Sequence, residues 1–328
     1  MQRDRLRLRI RITVAALLIV VALLAWRYFP LAAPRLQWPR GELTIGPAEP
    51  LPGARLRFAV IGDYGHTSAN AARVAALVGG WNPDFVLTTG DNNYPAGAAE
   101  TIDENIGRGY SPFIGDYSGD YGGGSATNRF WPSLGNHDFV GLTCDGVTCR
   151  GPYLDYFTLP GNERYYDVDL GPVHLFAVNS VPGEPDGVTA DSPQATWLRD
   201  ALAASDACFD VVYFHHAPYS TGRHGSTATM RWPFAAWGAD VVFSGHEHSY
   251  ERLDVSGTPY FVVGAGGRSL YRFLHLDDLP PEATSQARYN RDYGALLMTV
   301  TGEWLVAEYY NVWGELIDEY LMPGECAA

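Results

Sequence analysis

The chain contains no lysine; all 23 of its basic residues are arginine. Mechanisms that need a lysine amine, as Schiff base or as general base, are therefore excluded. Cysteine is scarce as well, limited to Cys144, Cys149, Cys208 and Cys326. No Cys-x-x-Cys occurs, which argues against metal binding through sulfur. An even number in an exported chain permits two disulfides, Cys144–Cys149 around a short turn and Cys208–Cys326 tying the C-terminus to the body of the protein. Positive charge is short overall: 37 acidic residues leave a net charge of −14. Setting aside residues 1–29, with six Arg and one Asp, takes the remainder from −14 to −19. So acidic a surface argues against nucleic acid as a partner, since backbone phosphates need clustered cations. Internal repeats and low-complexity tracts are also missing.

What basic charge there is concentrates at the N-terminus. Arg3, Arg5, Arg7, Arg9 and Arg11 precede an uncharged apolar run from Ile12 to Trp26. Basic residues leading into an apolar core direct export, with the basic end left in the cytoplasm. Fifteen residues is short for a span, but Arg27 can snorkel and Tyr28-Phe29 lengthen it. Pro34 follows the small residues Leu31-Ala32-Ala33, a poor cleavage context. Residues 1–29 are therefore expected to be an uncleaved signal-anchor in preference to a cleaved signal peptide. The product is a membrane-anchored protein with its main domain outside the cytoplasm (periplasmic or extracellular), or a secreted one if cleaved. The membrane is a partner through that segment alone; no oligomeric state is legible. Residues 30–54, rich in proline, read as an extended spacer.

From residue 55 to 328 the pattern is that of one globular domain, and 46% of the chain is hydrophobic. A strand at 56–61, a helix at 70–78 and a strand at 84–89 form a βαβ unit. Residues 96–128 are a long Gly- and Tyr-rich insertion, expected at the rim of a site. Tyr165–Leu170 and Val173–Val178 form a hairpin about Gly171-Pro172. Ser192-Pro193 opens an amphipathic helix, with Ser192 as its cap. Strands at 210–214 and 240–244 each end in histidines. The β-rich segments 259–263, 295–301, 304–310 and 316–321 suggest a second sheet packed on the first. Residues 270–292 read as irregular.

Five apolar runs end in the same way. Phe58–Gly62 leads to Asp63; Phe85–Gly90 to Asp91 and Tyr94; Phe130–Gly135 to Asn136, His137 and Asp138; Val211–Phe214 to His215-His216; Val241–Gly245 to His246, Glu247 and His248. Strand ends that share a sheet edge bring such groups together. Imidazole, carboxylate, amide and phenol donors suit Fe, Zn or Mn, not Ca. They outnumber a single tetrahedral shell, which points to two ions about 3.5–4 Å apart, a spacing suited to clamping a phosphate ester.

These residues, Gly62-Asp63-Tyr64-Gly65, Gly90-Asp91-Asn92-Asn93-Tyr94, Gly135-Asn136-His137-Asp138, the His215-His216 pair and Gly245-His246-Glu247-His248, resemble the ordered motifs of the calcineurin-like metallophosphoesterase superfamily. Tyr94 at its spacing from Asp91 is similar to the purple acid phosphatase branch, and the chain length to its tartrate-resistant type. The resemblance spans residues 57–252. It implies an α/β fold, a four-layer α/β/β/α sandwich of two mixed sheets. It implies hydrolysis of small phosphate monoesters (acid phosphatase activity), with a metal-activated water attacking phosphorus in line; a phosphodiesterase or nucleotide phosphatase on the same site is the alternative. A silent binding module would have lost ligands, and none is missing. By motif, Asp63, Asp91, Tyr94 and His248 would hold Fe(III), and Asp91, Asn136, His216 and His246 a divalent Fe, Zn or Mn. The family's Val-x-x-His pattern picks His215, whereas a proline two residues after the ligand picks His216; His216 is preferred, with His215 beneath the site. His137 would face the leaving oxygen with Asp138 orienting its ring, and His224 would offer a second proton donor. Tyr64, Asn92 and Asn93 are expected at the rim. Glu251 and Arg252 are expected in a structural salt bridge, and His66, His174 and His275 away from the chemistry.

Overall fold

Leu56–Ile61, the first apolar run, forms strand β1, buried along most of its length. In the computed structural model, which describes residues 53–324, this strand lies inside a six-stranded sheet. Helix α1 (Ala69–Trp81) follows, capped by Ser68, whose side chain accepts from the Ala71 N–H. It runs past Val78 because Gly79 and Gly80 do not stop it; the end comes at Asn82, in the left-handed region at φ 48°. Val74, Leu77, Val78 and Trp81 form its buried face. β2 (Phe85–Thr88) pairs parallel to β1, and β3 (Phe130–Pro132) parallel to β2.

The one-turn helix α2 (Asn136–Phe139) leads to a small hairpin, β4 (Thr143–Asp145) and β5 (Thr148–Arg150), closed by the Cys144–Cys149 disulfide. Cys208 is disulfide-bonded too; Cys326 lies outside the described residues. β6 (Tyr166–Asp169) and β7 (Val173–Ala177) make the expected hairpin, and Ser192 caps helix α3 (Pro193–Ala204). Then come β8 (Phe209–His216), helix α4 (Phe234–Trp237), β9 (Val241–Gly245), β10 (Tyr250–Val255) and β11 (Thr258–Val263). β12 (Ala283–Tyr289), β13 (Gly294–Val300), β14 (Trp304–Asn311) and β15 (Leu316–Pro323) complete the chain.

Two sheets result, in the orders β15-β14-β13-β1-β2-β3 and β12-β10-β11-β9-β8-β7-β6. Both mix parallel and antiparallel pairs. They pack face to face: the Tyr250 ring on β10 stacks on Tyr309 of β14 at 3.9 Å, and Arg252 pairs with Asp318 of β15 at 2.7 Å. α1 covers the outer face of the first sheet, where Trp81 meets Tyr310. α3 and α4 cover the second, burying Leu198, Leu202 and Phe234 with Phe176, Phe214 and Val242.

The C-terminal strands do not form a sheet of their own. β13 is buried at every position and pairs antiparallel with β1, so β13–β15 complete the first sheet. β10–β12 complete the second. The stretch read as irregular contains β12, an edge strand of alternating burial whose Ala-Thr-Ser-Gln composition hides it. Residues 1–29, expected as the anchor, and nearly all of the spacer lie outside the described residues. Among the described residues no helix is long and apolar enough to cross a membrane.

Candidate metal centre

The motif-bearing strands belong to two sheets, not one. β1, β2 and β3 deliver Asp63, Asp91 and Asn136 from the first; β8 and β9 deliver the histidines from the second. The donors meet where the C-terminal edges of the two packed sheets adjoin. Three of them sit on strained backbone: Asp63, Asp91 and His246 have φ of 55°, 54° and 69°. Gly90 is required here, because a Cβ on it would lie 2.8 Å from His215 Nδ1 and from the Gly135 nitrogen.

Tyr94 stands at the middle. Its hydroxyl donates to Asp91 Oδ2 at 2.8 Å and lies 3.2 Å from both Asp63 Oδ1 and His248 Nε2. Burial and the two carboxylates raise its pKa far above that of a free phenol. His248 donates its Nδ1–H to the Ser269 carbonyl at 2.6 Å, which turns Nε2 toward Asp63 Oδ1, 3.3 Å away. His215 has the same arrangement. Its Nδ1–H goes to the Thr89 carbonyl (2.8 Å), and Nε2 lies 3.1 Å from Asn136 Oδ1 and 3.4 Å from Asp91 Oδ1. A ring nitrogen fixed by a backbone carbonyl, with the other nitrogen presented to carboxylates, is how metal-ligating histidines are held.

The electrostatics agree. Asp63 and Asp91 are 0% and 1% exposed, and among the described residues neither pairs with an arginine. Burial opposes ionisation of Asp91, but His215 and His137 beside it hold its carboxyl well below the usual range. Burial would lower the His215 pKa, yet Asp91 raises it to about 9. Ligand atoms of Asp63, Asp91 and His215 all lie within 4.8 Å of one another. Buried carboxylates focused on one point with imidazole, amide and phenol donors are the donor set of a hard-to-borderline cation, so the residues fit a metal.

The paired histidines make different contacts around the centre. His216, expected as the ligand, has its Nδ1 3.0 Å from the Ser180 hydroxyl, which also accepts its backbone N–H. Its ring packs 4.6 Å from that of His246, and burial together with His215 pushes its pKa down to about 3. His215, expected beneath the site, is the one that touches Asn136 and Asp91. His246 sits 5.0 Å from His215, ring to ring, and its N–H donates to Asp63 Oδ2.

Asp138 does not orient the His137 ring. It is buried and accepts from the N–H groups of Asn92, Asn93 and Gly135, fixing the loop that carries Asp91; burial and Asp91 push its pKa up to about 6. The His137 ring is set instead by the Pro95 carbonyl, which takes its Nδ1–H at 2.5 Å and leaves Nε2 3.9 Å from Asp91 Oδ2. His224 stacks on His246 at 4.3 Å. Its backbone N–H and that of Arg223 are held by the buried Glu247, whose pKa burial raises to about 7.

Tyr64, Asn92 and Asn93 are not at the rim. All are buried under the loop, where Tyr64 donates to Asn92 Oδ1 and Asn93 donates to the Ala98 carbonyl. The 96–128 insertion also buttresses from behind: Asn105 donates to the Asn93 side chain and the Tyr94 carbonyl. His174 pairs with Asp167; His275 pairs with Asp278 and its Nε2 lies 3.2 Å from the Arg223 carbonyl, against the loop that carries His224. No sequence pattern points to Tyr271, stacked on His248 at 3.9 Å, or to Arg268, which lies over the Tyr94 ring. Both come from loops without a pattern.

Glu251 and Arg252 take separate partners. Fully buried Glu251 accepts from Ser220, Thr221 and Ser285 and pairs with Arg288 at 3.3 Å, anchoring the loop that carries His224. Glu251→Ala leaves those donors unpaired and should cost about 3 kcal/mol. The measurement is urea unfolding; a midpoint equal to wild type's at unchanged slope would show that the carboxylate is not needed.

Residues 56–250, more than half of the chain, match the calcineurin-like phosphoesterase family. The chain belongs to that family and is a hydrolase of phosphoric esters with a metal centre. Tartrate-resistant acid phosphatase type 5 of Rattus norvegicus is 27% identical over 247 residues, 66% of this chain and 73% of that protein. Purple acid phosphatase 4 of Arabidopsis thaliana is 27% identical over 335 residues, 94% of this chain and 94% of that protein. Among solved structures, purple acid phosphatase PPD1 from yellow lupin (Lupinus luteus) seeds has a TM-score of 0.63 at 19% identity, covering 82% of this chain and 53% of that one. GAP50, the anchor in the inner membrane complex of Plasmodium, has a TM-score of 0.62 at 15% identity, covering 83% and 89%. At such identities the two structures establish the fold alone.

Proposed function

We propose that the chain is a phosphomonoesterase with a binuclear metal centre of the purple acid phosphatase type. The observation that carries this reading is the Tyr94 hydroxyl set among Asp63, Asp91 and His248. Asp63, Asp91, Tyr94 and His248 would hold Fe(III). Asp91, Asn136, His215 and His246 would hold a divalent Fe, Zn or Mn, with Asp91 common to both. When bound, such ions neutralise the charge of the ester and acidify a water for attack on phosphorus.

The chain's own residues supply the rest. His137, with Nδ1 committed to Pro95 and a side chain 37% exposed, presents Nε2 at the open side of the centre, where a leaving oxygen departs. His224, 39% exposed on a loop fixed by Glu247 and stacked on His246, offers a second imidazole. A protonated ring at either position donates to the leaving alkoxide. The names of the curated relatives support the acid phosphatase reading. The Arg-rich N-terminus and the Cys144–Cys149 disulfide support export, to a membrane-anchored or secreted location.

The test is metal analysis with a visible spectrum, alongside rates on p-nitrophenyl phosphate and its bis-ester. The expected result is bound iron, a tyrosinate absorption band, and faster cleavage of the monoester. Tyr94→Phe should bleach the band while the circular dichroism stays that of wild type. A band that persists in that variant would assign the colour elsewhere, and preference for the diester would overturn the monoester reading.

A further inference from the structure

Arg164, Arg252 and Arg288 are each tied to a buried or half-buried carboxylate. Arg223 and Arg268 are not. Among the described residues, neither guanidinium has an ion-pair or hydrogen-bond partner. Each lies instead over an aromatic ring of the centre. The guanidinium carbon of Arg268 is 5.1 Å from the centroid of Tyr94, and that of Arg223 is 4.8 Å from the centroid of Tyr271. The Tyr271 ring is stacked on His248 with an angle of 10° between the planes, so Arg223 occupies its other face, one ring further from the metal ligands.

Backbone contacts fix both positions. The Arg268 N–H donates to the Asp63 carbonyl at 3.1 Å, and the Arg223 N–H to Glu247 at 2.7 Å. The Tyr271 N–H donates to the His248 carbonyl at 2.9 Å. The two rings beneath the guanidinium groups both meet His248, Tyr271 stacked on its face at 3.9 Å and Tyr94 edge-on at 6.3 Å, so the two cations flank one part of the centre. In a chain of net charge −14, two uncompensated guanidinium groups beside a phosphate-ester site concentrate positive potential where the rest of the surface repels anions. Guanidinium binds carboxylate and phosphate through paired N–H groups. Standing outside the ligand shell, both are placed for an anion carried by the leaving group.

We propose that Arg223 and Arg268 form an anion subsite beside the metal centre, selecting phosphate esters whose leaving alcohol bears a second negative group, a carboxylate or a further phosphate. This rests on the phosphomonoesterase reading for its role in turnover. Binding tests it independently. Metal-replete wild type and the Arg223→Gln/Arg268→Gln variant are titrated by calorimetry with phenylphosphonate and with 4-phosphonobenzoate, which differ only in a carboxylate. Wild type is expected to bind the carboxylate-bearing ligand about tenfold more tightly, and the double variant to bind both alike. Equal affinities in wild type, or a preference that survives in the variant, would overturn the subsite. If the double variant does not fold, Arg223→Gln alone, at an exposed position, should lose part of the preference. A wild type that hydrolyses no ester would remove the functional reading and leave the binding result standing.

Discussion

Asp91→Ala lowers kcat on a phosphate monoester by ~10³-fold or more and leaves the purified protein with less than half of the wild-type metal. The expectation follows from how many contacts this carboxylate makes. Its two oxygens receive the Tyr94 hydroxyl at 2.8 Å and the His137 N–H at 3.0 Å, and one lies 3.4 Å from His215 Nε2. It is the single residue that the two proposed donor sets share. Removing it leaves Asp63, Tyr94 and His248 on one side and Asn136, His215 and His246 on the other, with no carboxylate common to both. Losing Lewis-acid stabilisation of several kcal/mol corresponds to a rate loss of that order. Asp91→Asn keeps the shape and one acceptor, so it separates charge from packing; it should fold as wild type does and still lose metal. Full metal occupancy in either variant, by atomic absorption, would mean that the centre is assembled on other residues.

His215→Ala and His216→Ala are expected to differ sharply although the residues are adjacent. The first removes the imidazole whose Nε2 faces Asn136 and Asp91, and should cost ~100-fold or more in activity together with bound divalent metal. The second removes a ring whose Nδ1 engages Ser180 and should stay within ~10-fold. Metal content and kcat measured side by side decide it. The reverse ranking would place His216, and not His215, in the ligand shell.

Most of the site was legible as a list of residues. Asp63, Asp91, Asn136 and His246 each follow the glycine that ends an apolar run, Tyr94 and His248 come within three residues of Asp91 and His246, and the structure brings these residues together. The helix at 70–78, the hairpin about Gly171-Pro172 and the Ser192 cap were legible for the same reason, because local periodicity and capping chemistry are short-range signals. The role of Asp138 was not. A carboxylate beside a histidine in sequence invites pairing, but α2 turns it back onto the N–H groups of the Asp91 loop, a contact across about half a hundred positions of chain. Tyr271, Arg223 and Arg268 were also invisible, since stacking between loop residues leaves no periodic trace.

The donor chemistry and the strand ends that carry it were readable from the residues alone, as was the exclusion of lysine routes. Packing of the two sheets decided which sheet each strand joins and which contacts each of the two neighbouring histidines makes. Successive residues of a strand point to opposite faces, and β8 is apolar on both: Val211 and Tyr213 pack between the sheets, Val212 and Phe214 against the outer helices. No polar face marks the direction, so the pattern cannot say whether His215 or His216 turns inward. The irregular pairing of β8 with β9 between Tyr213 and His216, and the Thr89 carbonyl across the interface, set the contacts of the two rings, and both exist only once the two sheets have packed.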